Sequence, residues 1–186
     1  TPFSVRGHDT DGHIEYIDYI AHNWEIPPLK GGWEFYHPPL YYAFWAIWMK
    51  LSELLGATRE AILADIQTGS LVISILSLLV AAWIAPMIFS EKKQITERTL
   101  FVLTVAVFPG LLFNAARINN DVFIQFFSFL ALACLLRWWM RGGSPGWWCL
   151  SITCVALATL SKANALLLIP VLGLCLLLKK SEPWKR

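Results

Sequence analysis

The chain has 186 residues, of which 56% are hydrophobic and only 15% charged, and its formal net charge is +2. A soluble domain carries about 25% charged residues, so this composition favours lipid as the solvent for much of the chain. The small net charge gives no argument for binding nucleic acid. Cys134, Cys149, Cys154 and Cys175 lie in apolar runs, which indicates small apolar side chains and argues against a disulfide or zinc framework.

The first 39 residues form a polar segment that is rich in ionisable and aromatic side chains. It contains all four histidines of the chain, at positions 8, 13, 22 and 37, and the carboxylates Asp9, Asp11, Glu15, Asp18, Glu25 and Glu34. Apolar residues recur at three- and four-residue spacing between positions 13 and 24, which predicts a helix with Asp11 near its N-terminus. Pro-Pro and Gly-Gly pairs predict a loop over residues 25–33.

The Pro-Pro pair at positions 38 and 39 begins the next element, because proline is tolerated in the first turn of a helix. Residues 40–56 have about the length of a span, yet they carry Lys50 and Glu53 and are dense in Trp and Tyr, which prefer the membrane interface. Tyr41 and Tyr42 can stack against a bound ligand or anchor the loop at the lipid headgroups, and we expect the second. Residues 58–66 continue with an amphipathic pattern, so we expect residues 40–66 to form interfacial or membrane-embedded helices.

Residues 67–186 are expected to form a bundle of about five transmembrane helices. The predicted spans are residues 68–89, residues 99–116 with a kink at Pro109-Gly110, residues 122–140, and two short spans between residues 147 and 178. The last apolar run is divided at residues 161–164 because it is too long for one crossing of a hydrocarbon layer about 30 Å thick. The predicted fold class is an all-α polytopic membrane protein whose first extramembrane loop, residues 1–39, carries short interfacial helices.

The distribution of cations predicts the orientation in the membrane. If residues 40–56 lie along the surface, the cations opposite the polar segment are Lys92, Lys93, Arg98, Arg137, Arg141, Lys179, Lys180, Lys185 and Arg186. Arg59, Arg117 and Lys162 then share the side of the polar segment. Because cytoplasmic loops carry the excess of Lys and Arg, this arrangement places the polar segment outside. If residues 40–56 form a full span instead, the two sets exchange sides.

The first arrangement also brings the sequence RINND, residues 117–121, next to the polar segment. Ionisable residues at a span boundary are costly unless they are solvated, paired or used in function. Arg117 and Asp121 are four residues apart and can simply pair at a helix end. Lys162, near the outer boundary, can extend its ammonium group to the interface or bind an anion.

Short sequence motifs exclude several classes of enzyme. The chain has no nucleotide phosphate loop, zinc-protease helix or dinucleotide fingerprint. His8 and His13 can hold a divalent metal ion together with the neighbouring Asp residues, because histidine–carboxylate clusters without cysteine suit such ions. Their spacing alone is not diagnostic of a metal site.

Four motifs follow one another in a characteristic order. They are an Asp-containing first outer loop, the sequence HPPLYY at residues 37–42, a kinked span ending in RINND, and a Leu-rich span that leads to an L-x-K turn. This order resembles the GT-C membrane glycosyltransferases, and more closely the superfamily of the protein O-mannosyltransferases and the lipid A aminoarabinose transferase. The resemblance covers essentially the whole chain, which we expect to be the N-terminal fragment of a longer enzyme with at least one further span upstream.

The resemblance implies an enzyme that moves a sugar from a polyprenyl-phosphate donor to an acceptor hydroxyl on a protein, lipid or glycan. It implies a multi-pass protein of the plasma (inner) membrane with residues 1–39 on the extracytoplasmic side. In the family an acidic residue of the first outer loop is the catalytic base, a role that falls here to Asp11 or Asp9, and Asp121 matches the second acidic position. His37 matches the His before Pro-Pro in the O-mannosyltransferases. The Glu that follows Asp in those enzymes is absent here, which leaves the register at Asp9 and Asp11 open.

The chemistry of such a transfer suits these residue types. Phosphate leaves without a general acid, so one carboxylate that deprotonates the acceptor hydroxyl is sufficient. Cations stabilise the developing phosphate charge, and the candidates are Arg117, His37, Lys30 and Lys162. The residues predicted to bind substrate are His13, Glu34, His37, Arg117, Asn120 and Lys162.

Two other classes of protein remain open at this point, a non-catalytic membrane scaffold or assembly subunit and a transporter. A transporter usually carries ionisable residues in the middle of its spans. Residues 68–89 and 99–116 contain no charged residue, which disfavours that class.

Overall fold

This computed structural model describes residues 9–140 and 144–180, and the regular secondary structure in these ranges is helical. The α-helices are α1 (Thr10–Asn23), α2 (Leu40–Leu54), α3 (Arg59–Ile88), α4 (Ile95–Ala106), α5 (Pro109–Asn114), α6 (Asp121–Met140), α7 (Pro145–Ser161) and α8 (Leu168–Lys180), and a 3-10 helix (Ala163–Leu167) precedes α8. The predicted all-α class is confirmed for these ranges. The sequence predictions also used residues outside them, namely His8, Arg141, Lys185 and Arg186.

Two of these helices, α3 and α6, are long and apolar enough to cross a membrane. Helix α3 has 30 residues, which corresponds to about 45 Å. Helix α7 and the segment Ala163–Lys179 are apolar but shorter. The sequence predicted separate elements at residues 58–66 and 68–89, whereas the structure has one continuous helix, because no proline or turn signal interrupts the chain between them.

The predicted span at residues 99–116 is divided into two helices, α4 and α5. Pro109 begins α5, and a proline disfavours helical backbone at the residue before it. Phe108 is accordingly extended, with φ −61° and ψ 124°. The expected kink is therefore a break that leaves helices of 12 and 6 residues. The predicted division near residues 161–164 is confirmed, because α7 ends at Ser161 and Lys162 is extended, with φ −156° and ψ 132°.

Helix α2 is short and lies at the same end of the bundle as α1. Its 15 residues correspond to about 22 Å, less than a hydrocarbon layer of about 30 Å. It packs on α1, and a short turn connects its C-terminus to the start of α3. Tyr41 and Tyr42 of α2 are completely buried, so the expectation that they anchor the loop at the headgroups is wrong.

Within the described residues, two apolar cores lie in different parts of the bundle. The first joins α1, α2, the first turns of α3 and the start of α6, and Trp45 of α2 approaches α3 closely at Gly69. The second lies between α6, α7 and α8. We call the region of the first core the polar end (α1, residues 24–39, α2, residues 115–121, Lys162 and the first turns of α3), and the remaining helical bundle the apolar body.

The cations are divided between the two ends of the bundle. Arg59 and Lys162 lie at the polar end, where they pair with Asp18 of α1 and Asp121 of α6. At the opposite end, Arg98 donates to the carbonyl oxygen of Phe89, and the guanidinium of Arg137 lies 5.1 Å from the centre of the Trp147 ring. Lys179 donates to the carbonyl oxygen of Trp138 at the same opposite end. This grouping agrees with the arrangement in which residues 40–56 do not form a full span.

Candidate functional site

The first turn of α1 presents a carboxylate and an imidazole on the same face of the helix. Asp9 directly precedes α1 and His13 follows four residues later, so that the two side chains are neighbours. The Oδ2 atom of Asp9 lies 3.5 Å from Nε2 of His13, and Nδ1 of His13 lies 2.8 Å from the hydroxyl of Tyr42. His13 is buried with 2% of its side chain exposed, whereas 43% of the Asp9 side chain is exposed. A polar chain therefore leads from the surface at Asp9 to the interior at Tyr42.

The loop between α1 and α2 adds a second carboxylate–imidazole pair. Glu34 and His37 lie in one turn, and their Oε2 and Nε2 atoms are 2.8 Å apart. The His37 ring stacks against the His13 ring with 6.1 Å between the ring centres. Glu34 packs against α1 at Gly12, where a Cβ atom would lie only 2.8 Å from the Cγ atom of Glu34. A glycine at this position allows the loop to approach the helix.

The third part of the site joins α6 to α7. Asp121 is the first residue of α6, and its Oδ1 atom lies 2.6 Å from Nζ of Lys162, which follows α7 directly. Asn120 strengthens this junction, because its Nδ2 donates to the carbonyl oxygen of Ser161 at 3.0 Å. The alternative pair of Arg117 with Asp121 is therefore replaced by the pair with Lys162. The guanidinium of Arg117 lies 5.8 Å from the centre of the Phe113 ring.

The pKa values show that these parts act on one another electrostatically. The His13 imidazole, 3.5 Å away, lowers the pKa of Asp9 to about 2; burial opposes this shift and the charge of Arg117 reinforces it. Burial lowers the pKa of His37 to about 4, helped by the charges of Lys162 and His13 and opposed by those of Asp121 and Asp9. At neutral pH Asp9 is thus ionised and His37 is neutral. The expectation that His37 supplies a cation for phosphate is therefore corrected, since it offers a neutral imidazole.

The structure brings together most of the residues that the sequence predicted for the site. We call this set the polar cluster, and its members are Asp9, His13, Glu34, His37, Arg117, Asp121 and Lys162. Asn120 adjoins it but is fully buried, and its amide group joins two helices. Asp11 is exposed in the first turn of α1 and makes no hydrogen bond or ion pair with another described residue. The N-cap position expected near Asp11 is occupied by Asp9, whose side chain makes no capping hydrogen bond.

The chain was compared with protein-family models, with curated proteins and with solved structures. None of the three comparisons found a match. The resemblance to GT-C enzymes therefore depends on the order of the motifs in the sequence, and the chemistry of the polar cluster has to be judged from its geometry.

Two tyrosines belong to the site although neither is among the site residues predicted from the sequence. Tyr42 bonds to His13, and Tyr16 stacks on Tyr42 with 3.8 Å between the ring centres. The hydroxyl of Tyr16 donates to the carbonyl oxygen of His37 at 3.2 Å. A signal for Tyr16 was present, because it lies three residues after His13 on the same helix face. The contact of Tyr42 depends on how the loop turns back, which no local pattern predicts.

Three residues of the polar cluster are arranged so that they could hold a metal ion. Asp9, His13 and Glu34 each offer one ligand atom, and these atoms lie within 4.8 Å of one another. The sequence predicted a metal pair of His13 with His8, and His8 lies outside the described residues. The structure adds Glu34, which is 21 residues further along the chain and was predicted only to bind substrate.

Proposed function

We propose that the protein is a multi-pass membrane glycosyltransferase of the GT-C type. It would move a sugar from a polyprenyl-phosphate donor to an acceptor hydroxyl at the outer face of the membrane. The observation that carries this proposal is the meeting of two carboxylates, Asp9 and Asp121, with the cations Arg117 and Lys162 at one end of an apolar bundle. A lipid-carried donor can reach a site of this kind from the bilayer while a polar acceptor arrives from water.

The reaction needs one base and a site for the leaving phosphate. A carboxylate takes the proton of the acceptor hydroxyl, the oxygen attacks C1 of the sugar, and the bond from C1 to the phosphate oxygen breaks. The electron pair leaves with the phosphate, which needs no general acid. Lys162 and Arg117 would stabilise the charge that develops on the leaving group. Because Lys162 is bound to Asp121 in this structure, a donor phosphate would compete with Asp121 for the ammonium group.

Asp9 is the carboxylate best placed to serve as the base. It is ionised at neutral pH because its pKa is about 2, and it combines contact with the polar cluster and access to solvent. A carboxylate of low pKa can accept this proton because the hydroxyl becomes acidic as the new carbon–oxygen bond forms. Asp11, the other candidate, is exposed but turned away from His13, since two residues correspond to more than half a helical turn.

The activity is tested with the full-length protein in lipid vesicles, supplied with radiolabelled polyprenyl-phosphate sugars. We expect labelled product from the wild type and a loss of at least about 100-fold in the transfer rate for Asp9→Asn and Asp121→Asn. Asp65→Asn is the matched control, because Asp65 is an exposed carboxylate on α3 outside the polar cluster. Unchanged transfer in both cluster variants would remove the catalytic proposal and favour the non-catalytic scaffold.

The membrane orientation that we propose places residues 1–39 outside the plasma (inner) membrane. It is supported by Arg98, Arg137 and Lys179 at the end of the bundle opposite the polar end, because cytoplasmic ends carry the excess of cations. Single cysteines at the exposed positions Asn23 and Lys92, in a variant without the native cysteines, test it. A membrane-impermeant thiol reagent added to intact cells should label position 23 and spare position 92. The reverse pattern would invert the proposed orientation.

A further inference from the structure

The side chains of Asp9, His13 and Glu34 have the composition of a divalent metal site. They supply two carboxylate oxygens and one imidazole nitrogen, and the three ligand atoms lie within 4.8 Å of one another. We propose that these three residues bind one divalent transition-metal ion, such as zinc or manganese. Imidazole with carboxylates suits such ions better than calcium or magnesium, which prefer oxygen ligands, or copper(I), which prefers sulfur.

The distance between the first two ligand atoms fits a shared ion better than a hydrogen bond. Oδ2 of Asp9 and Nε2 of His13 are 3.5 Å apart. A hydrogen bond between an imidazolium and a carboxylate is about 2.7–2.9 Å long. Two ligands that bind one tetrahedral zinc at about 2.0–2.2 Å lie about 3.4 Å from each other. The pair therefore already has the spacing that a metal ion between them requires.

Each of the buried ligands is oriented by a second residue. A metal-bound histidine almost always donates its other ring N–H to an acceptor, which fixes the ring. The hydroxyl oxygen of Tyr42, 2.8 Å from Nδ1 of His13, can accept that hydrogen bond and leaves Nε2 for the ion. On the other side, Nε2 of His37 donates to Oε2 of Glu34 at 2.8 Å. The arrangement thus contains both the ligands and the partners that hold them.

Burial and charge both favour an ion at this place. His13 and Glu34 are 2% and 3% exposed, and a buried carboxylate is unfavourable unless it is paired or binds a metal. Lys162 is already paired with Asp121, so its charge is not left to compensate Asp9 and Glu34. A divalent ion would compensate the two carboxylates. Three protein ligands leave a further coordination position open, as in zinc sites that bind water or substrate.

Metal binding at this site does not depend on the proposed glycosyltransferase activity. Its binding is measurable without any sugar, and the two proposals can fail separately. Where both hold, Asp9 would bind the ion through Oδ2 and keep Oδ1 for the acceptor, and the ion would add positive charge beside Arg117 and Lys162. That last step rests on the proposed function.

The experiment uses the full-length protein in detergent, freed of metal with a chelator and then titrated with Zn²⁺ and with Mn²⁺ by calorimetry. We expect one ion per chain. His13→Ala, Asp9→Asn and Glu34→Gln should each lower the affinity at least about 100-fold, and Tyr42→Phe about 10- to 100-fold. His22→Ala is the matched control, because His22 is an exposed histidine on the last turn of the same helix and bonds only to a carbonyl of that helix. The affinity of the His22→Ala variant for the metal ion should equal that of the wild type.

A second measurement needs no variant and therefore does not depend on whether the variants fold. X-ray absorption at the zinc edge of the loaded wild type should show only nitrogen and oxygen ligands, with the signature of one imidazole. Three results would overturn the proposal: no stoichiometric binding by the wild type, a sulfur ligand that points to a cysteine, or wild-type affinity in all three ligand variants.

Discussion

The polar end and the apolar body satisfy their polar side chains in different ways. In the apolar body, Ser70, Ser74 and Ser77 of α3 each donate to the carbonyl oxygen four residues earlier in the same helix. At the polar end, hydrogen bonds and ion pairs join distant parts of the chain, as between His13 and Tyr42 or Asp121 and Lys162. A helix surrounded by lipid has to satisfy its polar groups within itself or its neighbours, whereas a solvated region is free to pair side chains across the fold.

The two regions also differ in which side chains they expose. A soluble protein mostly buries its large aliphatic side chains and exposes its ionisable ones, and here the distribution is reversed. Large aliphatic side chains of the apolar body are open to the surroundings, with 61% of Leu79 and 69% of Leu177 exposed. At the polar end, the ionisable His13 and Glu34 are buried among aromatic rings. The comparison indicates that specific pairs determine the structure of the polar end, while apolar packing without specific partners suffices for much of the body. Variants in the two regions should therefore respond differently.

The largest effect is expected where the two regions meet, at Gly69. A Cβ atom at this position would lie 2.1 Å from the Trp45 ring, so that α2 and α3 would have to separate. We expect Gly69→Ala to lower the free energy of unfolding by about 3 kcal/mol, the upper part of the range for overpacked sites. The matched control is Gly173→Ala in α8, where, apart from the adjoining residues and the backbone of the helix itself, no described atom lies within 4 Å of the added Cβ. Equal stability of the two variants in thermal unfolding would contradict the close contact.

The second prediction concerns pH and His37. Its pKa is about 4 in the folded protein and about 6.5 in an unfolded chain, so the unfolded state binds more protons between these values and stability falls as the pH decreases from 6.5 to 4. We expect a decrease on the order of 2 kcal/mol. Unfolding is measured with a chelator present, and His37→Gln is expected to flatten the profile. A profile as steep in this variant as in the wild type would assign the effect to another group.

The smallest effect is expected for the ion pair that joins α1 to α3. Arg59 makes two bonds to the Asp18 carboxylate, at 2.6 and 3.0 Å, but 53% of its side chain is exposed. We expect Arg59→Ala to lower the free energy of unfolding by about 1 kcal/mol. Lys50→Ala, which removes a pair with Glu53 inside α2, is the control and should lower it by only about 0.3 kcal/mol. High salt should reduce the difference between the two variants.

The sequence predicted local elements better than the contacts between them. The helix at positions 13–24, the break at Lys162 and the helix over residues 122–140 follow from periodicity and from apolar runs, which are local properties. The meeting of Asp9, Asp121 and Lys162 at one end followed from counting how often the chain crosses the bundle. Counting crossings cannot choose the partner of Asp121, because that choice depends on how far α6 and α7 are shifted along each other.

Contacts between distant parts of the chain also explain why the position of Tyr42 differs from the prediction. Tyr42 was expected at the lipid headgroups, because its aromatic ring is typical of that layer. Its burial against His13 depends on the path of residues 24–39, which contain the Pro and Gly residues that make the loop hard to predict. For helix α3 the reason is the opposite, because the change in composition near residue 67 predicts a boundary although the backbone continues through it.

The length of α3 sets the height of the candidate site in the proposed membrane arrangement. A rod of 30 residues extends about 45 Å, and a hydrocarbon layer occupies about 30 Å of it. The remainder is comparable to the thickness of the headgroup layers, which is the depth at which a lipid-bound phosphate resides. Because α3 is one continuous helix, its length sets the distance between the polar end and the opposite end of the bundle. Removing one helical turn from it would draw the polar end about 5 Å towards the lipid tails without altering any residue of the polar cluster.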